Sequence, residues 1–252
     1  GQWLKDKGVP GIWGVDTRRI TKIIRERGVM LGKLVIEGSP EPAEFVDPNK
    51  ENLAALVSTK QVETYGNGKY RIVLVDCGCK YNIVRCLTKR NATVIRVPWD
   101  YDFTQIDYDG VMLSNGPGDP QQCGATIANI RKAIALGKPI FGICLGNQLL
   151  SIAAGATTFK LKYGHRSHNQ PALMVGTDRA VITSQNHGFD TTTLDEGWEP
   201  YFVNLNDGTS EGIRHRTKPF FSVQFHPEAS GGPVDTEFLF DDFIQNIEKC
   251  RK

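Results

Sequence analysis

The chain lacks most of what would classify it by composition alone. It has 252 residues but no run of about 18 apolar residues, so no membrane-spanning helix is expected. The opening Gly1-Gln2-Trp3-Leu4-Lys5 does not read as a signal peptide, and a soluble intracellular protein is expected, of the cytoplasm or the mitochondrial matrix. Neither sign of charge dominates: 30 Lys and Arg against 28 Asp and Glu leave a formal +2. Nothing therefore indicates a nucleic-acid surface, an acidic tail or a membrane-binding patch. The six cysteines, Cys77, Cys79, Cys86, Cys123, Cys144 and Cys250, lack the paired C-x-x-C spacing of a zinc site. Cys77-Gly78-Cys79 has no second pair to complete one, so free thiols and no metal are expected. There is no Gly-x-x-x-x-Gly-Lys-Ser/Thr phosphate loop, no internal repeat and no low-complexity tract.

What is present from residue 70 onward is an alternation of strand and helix. Residues 70–76 (YRIVLVD), 92–98 (ATVIRVP), 110–114 (GVMLS) and 139–143 (PIFGI) are short β-branched or apolar runs. Between and after them, residues 81–90, 125–136 and 145–154 read as helices. That rhythm predicts an α/β fold: a mostly parallel, twisted sheet with right-handed crossovers and helices on both faces. Beyond it, residues 172–175, 180–183, 199–204 and 220–225 read as short strands with little helix between them, an antiparallel extension. An amphipathic helix over 234–250 closes the chain.

Before residue 70 the signals thin out. Residues 17–28 read as a short basic helix, but 36 residues cannot bury a core of their own. Residues 1–38 are therefore expected to be the remnant of a truncated N-terminal domain. Residues 39–69, rich in Pro, Glu, Asn and Gly, are expected to be a linker around one short helix at 49–56. Residues 70–252 form the main domain.

The most informative stretch is Phe141-Gly142-Ile143-Cys144-Leu145-Gly146, a buried strand running directly into a helix with cysteine at the corner. Such an elbow lifts a nucleophile clear of the sheet and aims the first helical amides at whatever it attacks. Small residues are needed where strand and helix nearly touch, here Gly142 and Gly146. Helix-end amides also favour the thiolate, the reactive form. The competing reading is a cysteine that only fills core space. Asn115-Gly116-Pro117-Gly118-Asp119-Pro120 follows another strand end and can share one crevice with Cys144, although alone it is an ordinary proline-glycine turn.

A cysteine nucleophile needs a base, and the base needs an orienting partner. Of the five histidines, His226 stands out in Phe225-His226-Pro227-Glu228. Pro227 holds it extended, and in extended chain residues two apart share a side, so Glu228 can fix its tautomer. His187, in a turn at Ser184-Gln185-Asn186-His187-Gly188-Phe189, is the rival, with only Asp190 nearby. An acyl substrate would need oxyanion donors, for which the Leu145 amide and the backbone around Gly116 and Gly118 are candidates.

Four motifs, in order, resemble the class I (triad) glutamine amidotransferases, and within them the carbamoyl-phosphate synthetase small subunit. They are Leu113-Ser114-Asn115-Gly116-Pro117-Gly118-Asp119-Pro120, Phe141-Gly142-Ile143-Cys144-Leu145-Gly146, Thr183-Ser184-Gln185-Asn186-His187-Gly188-Phe189 and Phe225-His226-Pro227-Glu228-Ala229. Gly14-Val15-Asp16-Thr17-Arg18-Arg19-Ile20-Thr21 is similar to the end of that family's N-terminal domain. The resemblance implies a flavodoxin-like fold and a Cys144, His226, Glu228 triad. It also implies an oxyanion hole at Leu145 and Gly118, with glutamine held by Gly116, Gly118, Leu145, Gln148, Asn186, Gly188 and Phe189. It implies a glutaminase needing no cofactor, whose ammonia passes to a synthetase subunit or fused domain that uses ATP, magnesium and bicarbonate, in pyrimidine, arginine or urea synthesis. Asn147 stands where the family most often has histidine, a change similar to its urea-cycle branch. A non-catalytic regulatory module docked on a synthetase, and a cysteine peptidase on the same sheet, are the other readings.

Overall fold

The computed structural model describes residues 1–41, 44–192, 194 and 197–252; residues 42 and 43 of the expected linker lie outside them. It divides into two units, Gly1–Val46 and Asp47–Lys252. The first carries α1 (Gln2–Asp6) and α2 (Thr17–Arg27). The Asp16 side chain caps α2 by accepting from the Arg19 amide at 2.8 Å, and Gly28 ends it at φ 89°. Ile20, Ile23 and Ile24 of α2 are exposed, and no hydrophobic side chain among the unit's described residues is buried.

The second unit contains α3 (Leu53–Val57), β1 (Glu63–Tyr65), β2 (Tyr70–Asp76), α4 (Tyr81–Thr88), β3 (Ala92–Pro98), β4 (Gly110–Leu113), α5 (Gly124–Leu136), β5 (Ile140–Ile143) and α6 (Leu145–Ala153). Then follow β6 (Thr158–Met174), β7 (Ala180–Thr191), β8 (Trp198–Asn204), β9 (Ser210–His215), β10 (Phe220–Val223) and α7 (Phe238–Cys250). One ten-stranded sheet runs β1-β3-β2-β4-β5-β10-β9-β8-β6-β7. From β3 to β10 neighbouring strands are parallel; β1 and everything beyond β10 pair antiparallel.

Side-chain alternation gives each face its own core. Ile72 and Leu74 of β2 pack with Ile83 and Leu87 of α4 and with Phe240 and Phe243 of α7. Val73 and Val75 of the same strand face the other way, with Ile127 and Ile130 of α5 and Leu149 and Leu150 of α6. Strands buried on both faces read as continuous apolar runs, and that is why β2 to β5 and their helices fall within a residue or two of where the sequence places them.

The antiparallel half departs from expectation. β6 is 17 residues long, whereas the sequence suggested only residues 172–175. The stretch 184–189, taken as a turn, is part of β7 (Ala180–Thr191), and β9 was not foreseen. The sequence of β6, TFKLKYGHRSHNQPALM, is mostly polar and is buried only at Ala172, so no apolar period marks it, and its pairing with β7 shifts register twice. The segment expected as a linker also contributes structure, with Ala54 of α3 buried and β1 pairing with β3.

The elbow depends on contact between backbones. A Cβ on Gly142 would lie 2.6 Å from the Gly146 carbonyl oxygen, and one on Gly146 would lie 2.3 Å from the Leu113 carbonyl oxygen. Neither space can open without moving α6 off the sheet. We expect Gly146→Ala to destabilise the fold by about 1–3 kcal/mol or more. Gly124→Ala, whose Cβ meets nothing within 4 Å, should change stability by less than about 1 kcal/mol. Chemical denaturation of the two variants checks this; equal midpoints would contradict it.

Candidate functional site

β5 ends and α6 begins at Cys144, which has φ 54° and ψ −103° and is 5% exposed. A positive φ in a residue with a Cβ costs about 1–3 kcal/mol and persists only where the surroundings enforce it. Here its amide donates to the Val223 carbonyl at 2.9 Å, while its own carbonyl accepts from the amides of Asn147 and Gln148. The Leu145 amide opens the helix and has no carbonyl within it to donate to. Helix and strand are braced further by Asn147, which is fully buried. Its Oδ1 accepts from Ser222 Oγ at 2.8 Å and its Nδ2 donates to Gln224 Oε1 at 3.1 Å.

Residues 224–228 leave β10 clamped by neighbouring strands. The Gln224 amide donates to the Glu211 carbonyl and the His226 amide to the Ser184 carbonyl, both at 2.9 Å. His226 is thereby fixed beside the elbow, where the Cys144 side chain acts on its imidazole. Its Nδ1 lies 2.7 Å from Glu228 Oε1, whose side chain is wholly buried. Burial works against the charge on His226, but Cys144 and then Glu228 outweigh it and raise the imidazole to about 10. Burial also opposes ionisation of Glu228; the charges of His226 and Lys80 nevertheless hold its carboxyl below the usual range.

Lys80 was not among the residues singled out from the sequence. Its Nζ lies 3.2 Å from His226 Nδ1 and 3.5 Å from Glu228 Oε1. Since Nδ1–H points at Glu228, Lys80 acts on the carboxylate through its charge, and its half-exposed side chain softens that effect. One signal could have found it: Lys80 follows the carboxyl end of β2, the same sheet edge that carries the other loops. Gln224 was missed too, because nothing in its spacing marks it as a brace.

The other expected residues lie in separate places. Gly116 meets the elbow directly: a Cβ there would lie 2.7 Å from Leu145 Cδ2 and 2.2 Å from the Cys77 carbonyl oxygen. Gly118, at φ 90°, sits over Leu53. Gln148 and Phe189 are joined, since Gln148 Nε2 donates to the Phe189 carbonyl and to Gln224 Oε1, each at 3.1 Å. Asn186 and Gly188 lie on β7 opposite and beside Arg166, with Asn186 exposed. His187, the rival base, is buried, and burial pushes its imidazole down to about 4. Its Nδ1 donates to the Phe189 carbonyl at 2.9 Å, and its Nε2 lies 3.2 Å from Gln185 Oε1.

A strand-to-helix corner carrying a buried cysteine, histidine and glutamate is the arrangement of a triad hydrolase, and the comparisons narrow the class. The chain belongs to the family described as "Glutamine amidotransferase class-I", which matches residues 73–246. Residues 1–34 match the "Carbamoyl-phosphate synthase small chain, CPSase domain". Among individual proteins it is 52% identical over 253 residues to human mitochondrial carbamoyl-phosphate synthase (ammonia), covering 99% of this chain and 17% of that one. It is 49% identical over 265 residues to the arginine-specific carbamoyl phosphate synthase small chain of Debaryomyces hansenii, covering 99% and 62%. It is 52% identical over 250 residues to the multifunctional protein CAD of Squalus acanthias, covering 97% and 11%. The chain thus spans less than two thirds of the length of each. A glutamine amidotransferase of Thermotoga maritima, 16% identical, shares the fold with TM-score 0.55 over 73% of this chain and 86% of that one.

Thiol reactivity separates the cysteines. Burial pushes Cys77 well above the ordinary range, Cys79 to about 12, Cys123 to about 11 and Cys86 upward, while Cys250 is exposed. A glutamine-shaped diazo-ketone should therefore label Cys144 alone, whereas iodoacetamide should also label Cys250. Peptide mapping reads both. Labelling of Cys79 or Cys123 by the glutamine mimic at the rate of Cys144 would contradict this assignment.

Proposed function

We propose that the chain hydrolyses the side-chain amide of glutamine and hands the ammonia to a carbamoyl-phosphate synthetase, as a separate large subunit or a fused domain. The observation that carries this is the buried line Cys144, His226, Glu228 at the elbow of a class I amidotransferase. Cys144 Sγ attacks the amide carbon, and His226 Nε2 holds the proton the sulfur gives up. The oxyanion accepts from the Leu145 amide, with Gly118 as the second donor. His226 then gives that proton to the amide nitrogen, the C–N bond breaks, and ammonia leaves a γ-glutamyl thioester. Water attacks the thioester carbon, His226 takes a proton from it, and the expelled sulfur recovers its resting state as glutamate departs. Glu228 holds the imidazole in one tautomer throughout. Gly116, Gln148, Asn186, Gly188 and Phe189 form the glutamine pocket.

These steps route through no metal or organic cofactor; ATP, magnesium and bicarbonate belong to the synthetase. The fused and small-chain relatives support that partnership, and the cytoplasm or the mitochondrial matrix is the setting it implies. No helix among the described residues is long and apolar enough to cross a membrane. The division at residues 38 and 69, with a small-subunit remnant ahead of the glutaminase domain, belongs to the same proposal.

Glutamate release is the test, alone and with a synthetase plus ATP and bicarbonate. His226→Asn should lower the rate about 10²–10⁴-fold, and Glu228→Gln should leave a larger remainder. The acid that protonates the departing nitrogen is His226, raised to about 10, so kcat/KM should fall as pH rises through about 10. Glu228→Gln removes one cause of that rise and should move the falling limb to lower pH. A limb unmoved by Glu228→Gln, or His187→Asn proving more damaging than His226→Asn, would contradict the roles assigned.

A further inference from the structure

Away from the elbow, His165 of β6, His187 of β7 and Glu211 of β9 converge. One ligand atom from each lies within 4.8 Å of the others, and the two imidazoles meet edge to face at 4.8 Å. Glu211 is fully buried. Its Oε1 accepts from Asn204 Nδ2 at 2.7 Å, whereas its Oε2 has no hydrogen-bond partner among the described residues. A buried carboxylate oxygen left unsatisfied is costly and calls for an explanation.

The two histidines supply one. His165 Nε2 is held by Asp207 Oδ2 at 2.8 Å, which leaves Nδ1 facing Glu211 Oε1 at 3.4 Å. Asn204 Nδ2, 3.5 Å from the same nitrogen, is already committed to Glu211. His187 donates from Nδ1 to the Phe189 carbonyl at 2.9 Å, which leaves the Nε2 lone pair facing Gln185 Oε1 at 3.2 Å. Gln185 cannot simply be turned round. Thr183 Oγ1 gives its hydrogen to the Gln170 carbonyl, so it must accept from Gln185 Nε2, and Oε1 is fixed toward the imidazole. A lone pair and a carbonyl oxygen therefore point at one another.

Each feature matches a metal centre. Ligating histidines donate their second ring N–H to a carboxylate or a backbone carbonyl, as His165 does to Asp207 and His187 to Phe189. Ligands about 2.0–2.1 Å from a tetrahedral zinc stand about 3.3–3.4 Å apart; the His165–Glu211 and His187–Gln185 pairs, at 3.4 Å and 3.2 Å, have that spacing, and the trio, spread within 4.8 Å, would draw in on binding. We propose that His165 Nδ1, His187 Nε2, Glu211 and Gln185 Oε1 bind a divalent cation of the zinc type. The cation would be structural, since four protein ligands close the shell. Its binding would pin β6, β7 and β9 together next to the Gln185-to-Phe189 stretch, whose last carbonyl also receives Gln148. This site does not depend on the glutaminase reading.

Cobalt(II), a spectroscopic stand-in for zinc, tests it in the full chain carrying Cys144→Ser, which removes the only thiol beside a histidine at the elbow. One equivalent should bind with the intense visible bands of four-coordinate cobalt, and zinc should displace it. Glu211→Gln should abolish that spectrum. Asp207→Asn, a change at a partly exposed side chain that leaves the fold intact, should weaken zinc about 10–100-fold by loosening His165. No stoichiometric cobalt spectrum in the Cys144→Ser protein, or affinity unaltered in a folded Asp207→Asn protein, would overturn the proposal.

Discussion

The approach of α6 to the sheet at Gly142 and Gly146 is the constraint on which the site depends. With no side chain at either position, Gly142 of β5 lies against the Gly146 carbonyl and Gly146 of α6 against the Leu113 carbonyl, too closely for a methyl group to fit. Only then can Cys144 occupy a left-handed corner, with its amide held by Val223. The same hydrogen bond ties the corner to β10, and β10 leads directly into His226. A local backbone requirement thus sets the separation between Cys144 and His226, the proposed nucleophile and base, and the strain at Cys144 is offset by packing on both faces of the sheet.

The electrostatics follow from that geometry. His226 is buried, and burial alone would leave it neutral; its charge is sustained by the sulfur on one side and Glu228 on the other. Glu228 has no exposure and needs compensation in turn, which His226 and Lys80 supply. Removing any one partner leaves an uncompensated buried group, so these residues should respond to mutation as a unit rather than additively. Asn147 belongs to a different layer. Its amide joins Ser222 to Gln224 and so braces the helix that carries Cys144 against the strand that leads to His226.

How much of this was legible in the sequence depended on which half of the sheet carried it. The strands from β2 to β5 are buried on both faces and announce themselves as apolar runs, and the glycines at 142 and 146 mark the elbow by spacing alone. Glu228 was placed beside His226 by the two-residue period of extended chain. Of β6 and β7 only the stretches 172–175 and 180–183 were legible, because the rest of their antiparallel pairing is made by mostly polar residues with no apolar period and two register shifts. Lys80 was hidden by distance along the chain: it is 146 residues from His226 and meets it through the order of the strands. The His165, His187 and Glu211 cluster draws one residue from each of three strands, so no spacing rule for metal ligands could reveal it.

The central claim is that Cys144 carries the glutamyl group, and it is tested most directly by trapping that group. Chain mixed with isotope-labelled glutamine, quenched in acid and mapped by mass spectrometry should show the label on the peptide bearing Cys144, as an acid-stable, hydroxylamine-sensitive thioester. Cys144→Ser should show none and should release no glutamate above background. Glutamate release undiminished in Cys144→Ser, with no label at position 144 in the unaltered chain, would contradict the account.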